Sequence, residues 1–371
     1  MIRLKKSYLA RKGIAEIKPY IPGKPVQEVK REFGLVDVIK LASNENPLGP
    51  SPIAVDAIKA ALHEIHWYPD GECFELKKAL SDFLDVPSDH LVFANGAEEI
   101  ITLIAKAFIN EGDPCVVPRD VYDPYETVVR IMGGSIRHSD LREFRIDLQD
   151  MLQKVDENTK VVFICNPVNP TGTIVTRQAF EKFLRNIPER TLVVLDEAYF
   201  DFVSSKDYPD GIDYVRQGKN LIVLRTFSKV YGLGGLRIGY AVAEPELIFY
   251  LKQVKEPFNV NTLAQVAAAA ALKDRDHVKK TVDLIIEEKD FLYKELNSMG
   301  VRFIPSEANF ILIDVGMDSR VLFRRMLERG VITRPGDIWN LPRFIRLTIG
   351  TRDQNIHFLD VFSEIRASRR P

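Results

Sequence analysis

Short runs of apolar, mostly β-branched residues recur through the first two thirds of the chain: LVF at 91–93, CVVP at 115–118, VVFIC at 161–165, LVVL at 192–195 and LIVL at 221–224. None of them alternates with polar positions. A strand without alternation is covered on both faces, so these runs predict a largely parallel sheet between helices. Helical patterns separate them; EEIITLIAKAF over 98–108 follows a Gly turn and repeats its apolar residues at helical spacing. From about residue 263 the pattern changes. An Ala-rich run and a long charged amphipathic stretch reach Met299 and Gly300, and two further strand candidates, 309–314 and 344–349, flank another helix. This predicts a smaller α+β unit. The beginning differs again. Pro19, Pro22, Gly23 and Pro25, then NENPLGP over 44–50, argue against a regular helix or central strand in this stretch. The expected organisation is an N-terminal arm over 1–45 that joins the small unit or a dimer contact, a large α/β domain over 46–262, and a small domain over 263–371.

Composition narrows the function classes. The chain has 371 residues, 46% hydrophobic and 28% charged, with 51 Lys and Arg against 52 Asp and Glu. A formal charge of −1 leaves no broad basic footprint, so nucleic acid is not an expected partner. The longest apolar stretches, such as 266–272, fall far short of a bilayer, and the basic start MIRLKKSYLARKG lacks the apolar run of a signal peptide. Cys73, Cys115 and Cys165 lie far apart with no CxxC, which points to free buried thiols in a reducing cytoplasm. The six histidines match no metal spacing and there is no GxSxG elbow, so no metal site and no serine triad are expected. The closing RASRRP reads as a solvated tail, with nucleic-acid contact the weaker alternative.

The informative residues stand just past the predicted strands, where open α/β sheets place their ligands. Cys165 is followed by NPVNPTG, Leu195 by DEAY, and Leu224 by RTFSK and a Gly-rich run to LRIGY at 236–240. An Asp, a Tyr, a Lys, hydroxyls and an Arg on one sheet edge are what a pyridine cofactor with an aldehyde and a phosphate needs. The carboxylate keeps the ring nitrogen protonated, the lysine bonds the aldehyde, and a helix N-terminus with hydroxyls and an Arg holds the phosphate. Glu197, adjacent to Asp196, points the other way if the strand continues and is read as structural.

These motifs, from Asn44 to Gly350, resemble those of fold-type I pyridoxal-phosphate (PLP) aminotransferases. LASNENPLGPSP, Tyr68-Pro69-Asp70-Gly71 and RPGDIWNLPRFIRLTIG resemble the histidinol-phosphate aminotransferases within them. The resemblance implies a PLP-dependent transferase fold: a large domain whose mostly parallel sheet lies between helices, plus a smaller α+β domain. It implies Lys229 as the Schiff-base lysine, Asp196 as the partner of the pyridinium nitrogen, and Tyr199 and Asn169 as donors to the cofactor's O3′. Gly96, Ala97 and Glu98 at a helix start, with Thr226, Ser228 and Arg237, match the phosphate cradle. Tyr122 matches the aromatic on the ring face, with Tyr125 the competing choice. Tyr68 resembles a tyrosine that reaches the phosphate of a neighbouring subunit, which implies a homodimer with shared sites; a packed turn aromatic is the other reading. Arg346 matches the guanidinium that takes the substrate α-carboxylate, and Arg334 the one that helps bind a distal phosphate. Tyr20, Asn46 and Trp339 are further candidates for the substrate pocket.

The function implied is amino transfer between L-histidinol phosphate and 2-oxoglutarate in histidine biosynthesis, with a small-molecule amino donor and a 2-oxo acid as partners. Aromatic aminotransferases and phosphothreonine decarboxylases share the fold and stand as alternatives.

Overall fold

A computed structural model of the chain describes residues 9–11, 13–17, 19 and 23–368. Tyr20 lies outside the described residues. At the centre is a seven-stranded sheet with the spatial order Leu91–Ala94, Gly239–Val242, Leu221–Thr226, Leu192–Asp196, Val161–Cys165, Pro114–Pro118, Ser135–Ser139. Six strands run one way, and Gly239–Val242 is antiparallel to both its neighbours. Every residue of Val161–Cys165, Leu192–Asp196 and Leu221–Thr226 is buried, as strands covered on both faces require. All five predicted runs form strands within a residue or two of their expected ends. Two strands carried no such signal. Ser135–Ser139 has the sequence SIRHS and lies at a sheet edge, half-exposed, where polar residues are tolerated. Gly239–Val242 is only four residues long and opens on a glycine.

The second sheet is antiparallel, in the order Phe303–Ile304, Phe310–Asp314, Phe344–Thr348, Arg334–Pro335. The helix Ser319–Leu327 lies between its strands in sequence, capped by the Asp318 carboxylate, which accepts from the Arg320 and Val321 N–H groups. The helix Arg275–Ser298 leads into this sheet. The Ala-rich helix Thr262–Ala271 packs instead along Pro52–Ala61, because small side chains let the two backbones approach.

The N-terminal stretch corrects one expectation. A regular helix, Val26–Phe33, does form between its prolines and glycines. Pro25 precedes its first turn and Gly34, in the left-handed region, ends it. Ile39–Lys40 then pairs in parallel with Val331–Ile332, and Val29, Ala42, Leu327 and Ile332 share a small core. These contacts deliver Ala42, Ser43 and Asn44 to the carboxyl edge of the large sheet.

Asp196 and Glu197 leave the same strand end toward opposite sides. Glu197 Oε2 accepts from Arg225 Nε and Nη2 at 2.9 and 2.7 Å, and Oε1 accepts from the Gly211 N–H at 2.9 Å. Arg225 also reaches Asp210 at 2.7 Å and lies 3.5 Å over the Phe200 ring. Burial pushes the Glu197 carboxyl up to about 7, against the pull of Arg225. The pair therefore fastens two neighbouring strand ends from behind the site. Glu197→Ala would leave a buried guanidinium short of its main partner. We expect a loss of about 3–5 kcal/mol in urea unfolding, against less than about 1 kcal/mol for removing the exposed Lys59–Asp56 pair.

Candidate active site

The carboxyl ends of the parallel strands open into a pocket of about 190 Å³. Register sets its floor: Cys165 lies beside Asp196, and Asp196 beside Leu224, so the loops after these residues converge. Ala97, Glu98, Tyr122, Asn169, Asp196, Tyr199, Thr226, Ser228, Lys229, Arg237, Arg334 and Arg346, all expected from sequence, line this pocket.

At one end the helix Ala97–Phe108 begins just after Gly96, with its free N–H groups turned toward the pocket rim. Gly96 has φ 88°, and a Cβ there would stand 2.6 Å from Arg237 Nη2. Glycine thus lets the guanidinium lie against the helix start. Arg237 Nη1 donates to Gly234 O at 3.2 Å, and the Ser228 N–H donates to Thr226 Oγ1 at 3.0 Å. Hydroxyls, a guanidinium and a helix start converge here, which is the donor set of an anion site.

Lys229 stands in the middle. Its Nζ donates to Ser43 O at 3.2 Å and lies 5.5 Å from the Tyr199 ring centroid. Burial, reinforced by the charges of Arg346 and Arg237, lowers its pKa to about 8. Facing it, Asp196 is buried. Tyr125 donates to its Oδ2 at 2.7 Å and the Ala198 N–H to its Oδ1 at 3.0 Å. Burial raises the Asp196 pKa, while these two donors and Lys229 pull it down. Burial also pushes the Tyr199 phenol up to about 12, so it keeps its proton and can donate.

At the other end two guanidiniums sit side by side. Arg334 and Arg346 are partners across the antiparallel pair Arg334–Pro335 and Phe344–Thr348, and both are buried. Arg346 Nη1 donates to Asn169 Oδ1 and its Nη2 to Ala42 O, both at 2.6 Å. Its guanidinium lies 5.1 Å from the Trp339 ring and 5.4 Å from Phe310. Like charges directly opposite in a sheet are destabilising. Two of them in one buried pocket favour a ligand that brings negative charge.

Tyr122 lines the pocket, whereas Tyr125 is fully buried behind Asp196. Asn46 is corrected. Its Nδ2 donates to Val230 O at 2.8 Å and Thr281 Oγ1 at 3.1 Å, and its Oδ1 accepts from the Leu48 N–H, so it fastens a turn and does not line the pocket. Asn44 lines it instead. It adopts φ 57°, donates to the Tyr199 hydroxyl at 2.9 Å, and accepts from Thr348 Oγ1 at 3.1 Å. Nothing in the sequence separates the two asparagines; the left-handed backbone at Asn44 is seen in the structure. Tyr68 is 84% exposed, stacks on Phe258 at 5.0 Å, and stands outside this chain's pocket.

Known group-transfer enzymes share this fold. The chain belongs to the aminotransferase class I and II family, whose model matches residues 36–362. Among its relatives are histidinol-phosphate aminotransferases: that of Moorella thermoacetica, 52% identical over 96% of this chain and 93% of the relative, and that of Caldicellulosiruptor saccharolyticus, 46% identical over 96% and 99%. Of solved structures, the histidinol-phosphate aminotransferase of Sinorhizobium meliloti in complex with pyridoxal-5'-phosphate matches with a TM-score of 0.88, at 27% identity over 96% of this chain and 99% of that one.

With a pKa of about 8, Lys229 is half neutral more than two pH units below an ordinary lysine. Acylation of ligand-free protein, followed by peptide mass spectrometry across pH, should give a labelling midpoint near 8 at position 229. A midpoint near 10.5 would contradict the described environment.

Proposed function

We propose that this protein is a PLP-dependent histidinol-phosphate aminotransferase, moving the amino group of L-histidinol phosphate to 2-oxoglutarate. The residues fit the cofactor. The cradle at Gly96, which a Cβ would fill, supplies a helix start, Thr226, Ser228 and Arg237 for its phosphate. Asp196 suits the ring nitrogen, and Tyr199 and Asn169 suit the ring oxygen. Tyr122 flanks the space between them. When bound, pyridoxal phosphate supplies the aldehyde that takes up an amino group and a ring that withdraws electrons from the donor's Cα.

Every other task falls to this chain. Lys229 Nζ, its pKa lowered by burial to about 8, accepts in its neutral form the proton from the donor's Cα. Asp196 holds negative charge at the pocket floor. Tyr199 donates its phenolic proton while Asn44 fixes the direction of its hydroxyl. Arg346 is held flat by Asn169, Ala42 O and the Trp339 ring, ready for a bidentate anion.

The observation that carries the choice of substrate is the adjacency of Arg334 and Arg346. Histidinol phosphate carries a phosphate ester where an α-amino acid has its carboxylate. That larger and more charged group suits two guanidiniums, and the same pair serves a carboxylate of 2-oxoglutarate or glutamate. The relatives' names support the same reading.

The proposal includes a homodimer. Ile65, Trp67, Tyr68 and Phe74, close in sequence, are each more than 60% exposed, an apolar excess that a second copy would cover. In that assembly Tyr68 would serve the partner's phosphate. Among the described residues no helix is long and apolar enough to cross a membrane, which is compatible with a cytoplasmic enzyme. We place the passage from large to small domain within Arg275–Ser298, later than 262/263, because Thr262–Ala271 packs against Pro52–Ala61.

Steady-state assays with 2-oxoglutarate test the reading. Lys229→Ala should lower turnover by at least about 10⁴-fold. Arg334→Ala should raise KM for histidinol phosphate by about 100-fold, the scale of a lost charge-assisted contact, and change KM for phenylalanine little. Equal effects on both donors would favour an aromatic aminotransferase, and carbon dioxide release from phosphothreonine without a 2-oxo acid would favour a decarboxylase.

A further inference from the structure

We propose that Tyr125 is a positioning residue for Asp196, its phenol holding that carboxylate ionised and aimed so that the proton between acid and cofactor stays on the ring nitrogen. The inference rests on the reading of the site given above.

Asp196 ends a strand whose residues are all buried. Its hydrogen bonds come from two neutral donors, the Tyr125 hydroxyl on Oδ2 at 2.7 Å and the Ala198 N–H on Oδ1 at 3.0 Å. The charge that faces it is Lys229, across the pocket, and the Cys165 thiol lies beside it on the neighbouring strand. Burial pushes that thiol up to about 12, so it adds no charge. Burial works against an ionised Asp196, and Tyr125 is the foremost of the groups that oppose it.

Tyr125 is fully buried, its ring stacked on Phe163 at 5.1 Å and met edge-on by Tyr122 at 5.5 Å. Packing alone would be served by phenylalanine. A hydroxyl in this setting needs a partner; the carboxylate accepts from it at 2.7 Å, and the Cys165 sulfur also meets it. Burial and the charge of Asp196 hold the phenol's own pKa well above its usual value, so Tyr125 donates and does not ionise. The Tyr125 N–H donates to Tyr122 O at 3.3 Å. One turn of chain therefore supplies both the ring that flanks the pocket and the donor behind the acid.

The proton balance is simple. With the cofactor bound, one proton would lie between the Asp196 carboxylate and the ring nitrogen. Hydrogen bonding to the ionised form makes the carboxylate a weaker base and leaves the proton on nitrogen, where the ring draws electrons best. Without the phenol, the more basic carboxylate pulls the proton toward itself, and the ring moves toward its neutral, less activating form.

The test uses holoenzyme loaded with PLP carrying ¹⁵N in its ring, as wild type and as Tyr125→Phe, which removes one oxygen and keeps the stacking. The wild-type ¹⁵N resonance should fall in the range of a protonated pyridine, and that of Tyr125→Phe should move toward neutral pyridine. In the assay, kcat should fall about tenfold with both KM values within about twofold of wild type. A 3-fluorotyrosine placed at 125, a stronger donor, should keep the ring protonated and serves equally if Tyr125→Phe does not fold. The same ¹⁵N resonance in wild type and Tyr125→Phe, or a neutral ring in the fluorotyrosine enzyme, would overturn the role of Tyr125. A wild-type protein that binds no PLP would instead overturn the function on which it rests.

Discussion

Keeping charge in a largely buried crevice is the constraint on which the rest of the structure depends. Asp196, Lys229, Arg237, Arg334 and Arg346 converge where the parallel strands end. Each would be costly there alone. The fold meets the cost with neutral donors and acceptors: Tyr125 and Ala198 on the acid, Ser43 O on the amine, Asn169 and Ala42 O on Arg346. Four cations line the pocket against the two carboxylates Glu98 and Asp196, and that positive excess favours anionic ligands.

The same constraint explains the N-terminal segment. Ile39–Lys40 pairs with Val331–Ile332, and the next residues cross to the pocket. Two carbonyls and one side-chain amide of Ala42, Ser43 and Asn44 then serve Arg346, Lys229 and Tyr199 in turn. Backbone oxygen satisfies a cation without adding a second titrating group. A carboxylate in its place would hold Lys229 charged and remove its capacity to accept a proton.

Much of this was legible in the sequence because burial on both faces erases polar alternation. The runs at 161–165, 192–195 and 221–224 announced strands, and the polar residues just beyond them announced a site. What escaped depended on less local physics. Ser135–Ser139 is an edge strand with polar residues, and Arg334–Pro335 is a strand of two residues whose partner, Phe344–Thr348, gives it meaning. The placement of Asn44 and not Asn46 in the pocket follows from a left-handed turn that fixes which of two nearby amides faces inward. Tyr125 reads as a core aromatic until the position of its hydroxyl is known, since the ring contacts alone are those of any packed phenyl group.

The central claim is that the amine at position 229 is the group that meets the cofactor's aldehyde. Incubation with pyridoxal phosphate, reduction with borohydride and peptide mapping by mass spectrometry test it most directly. The account predicts one stoichiometric adduct, on Lys229, that is absent from Lys229→Ala. An adduct on a different lysine, or none after reduction, would contradict it.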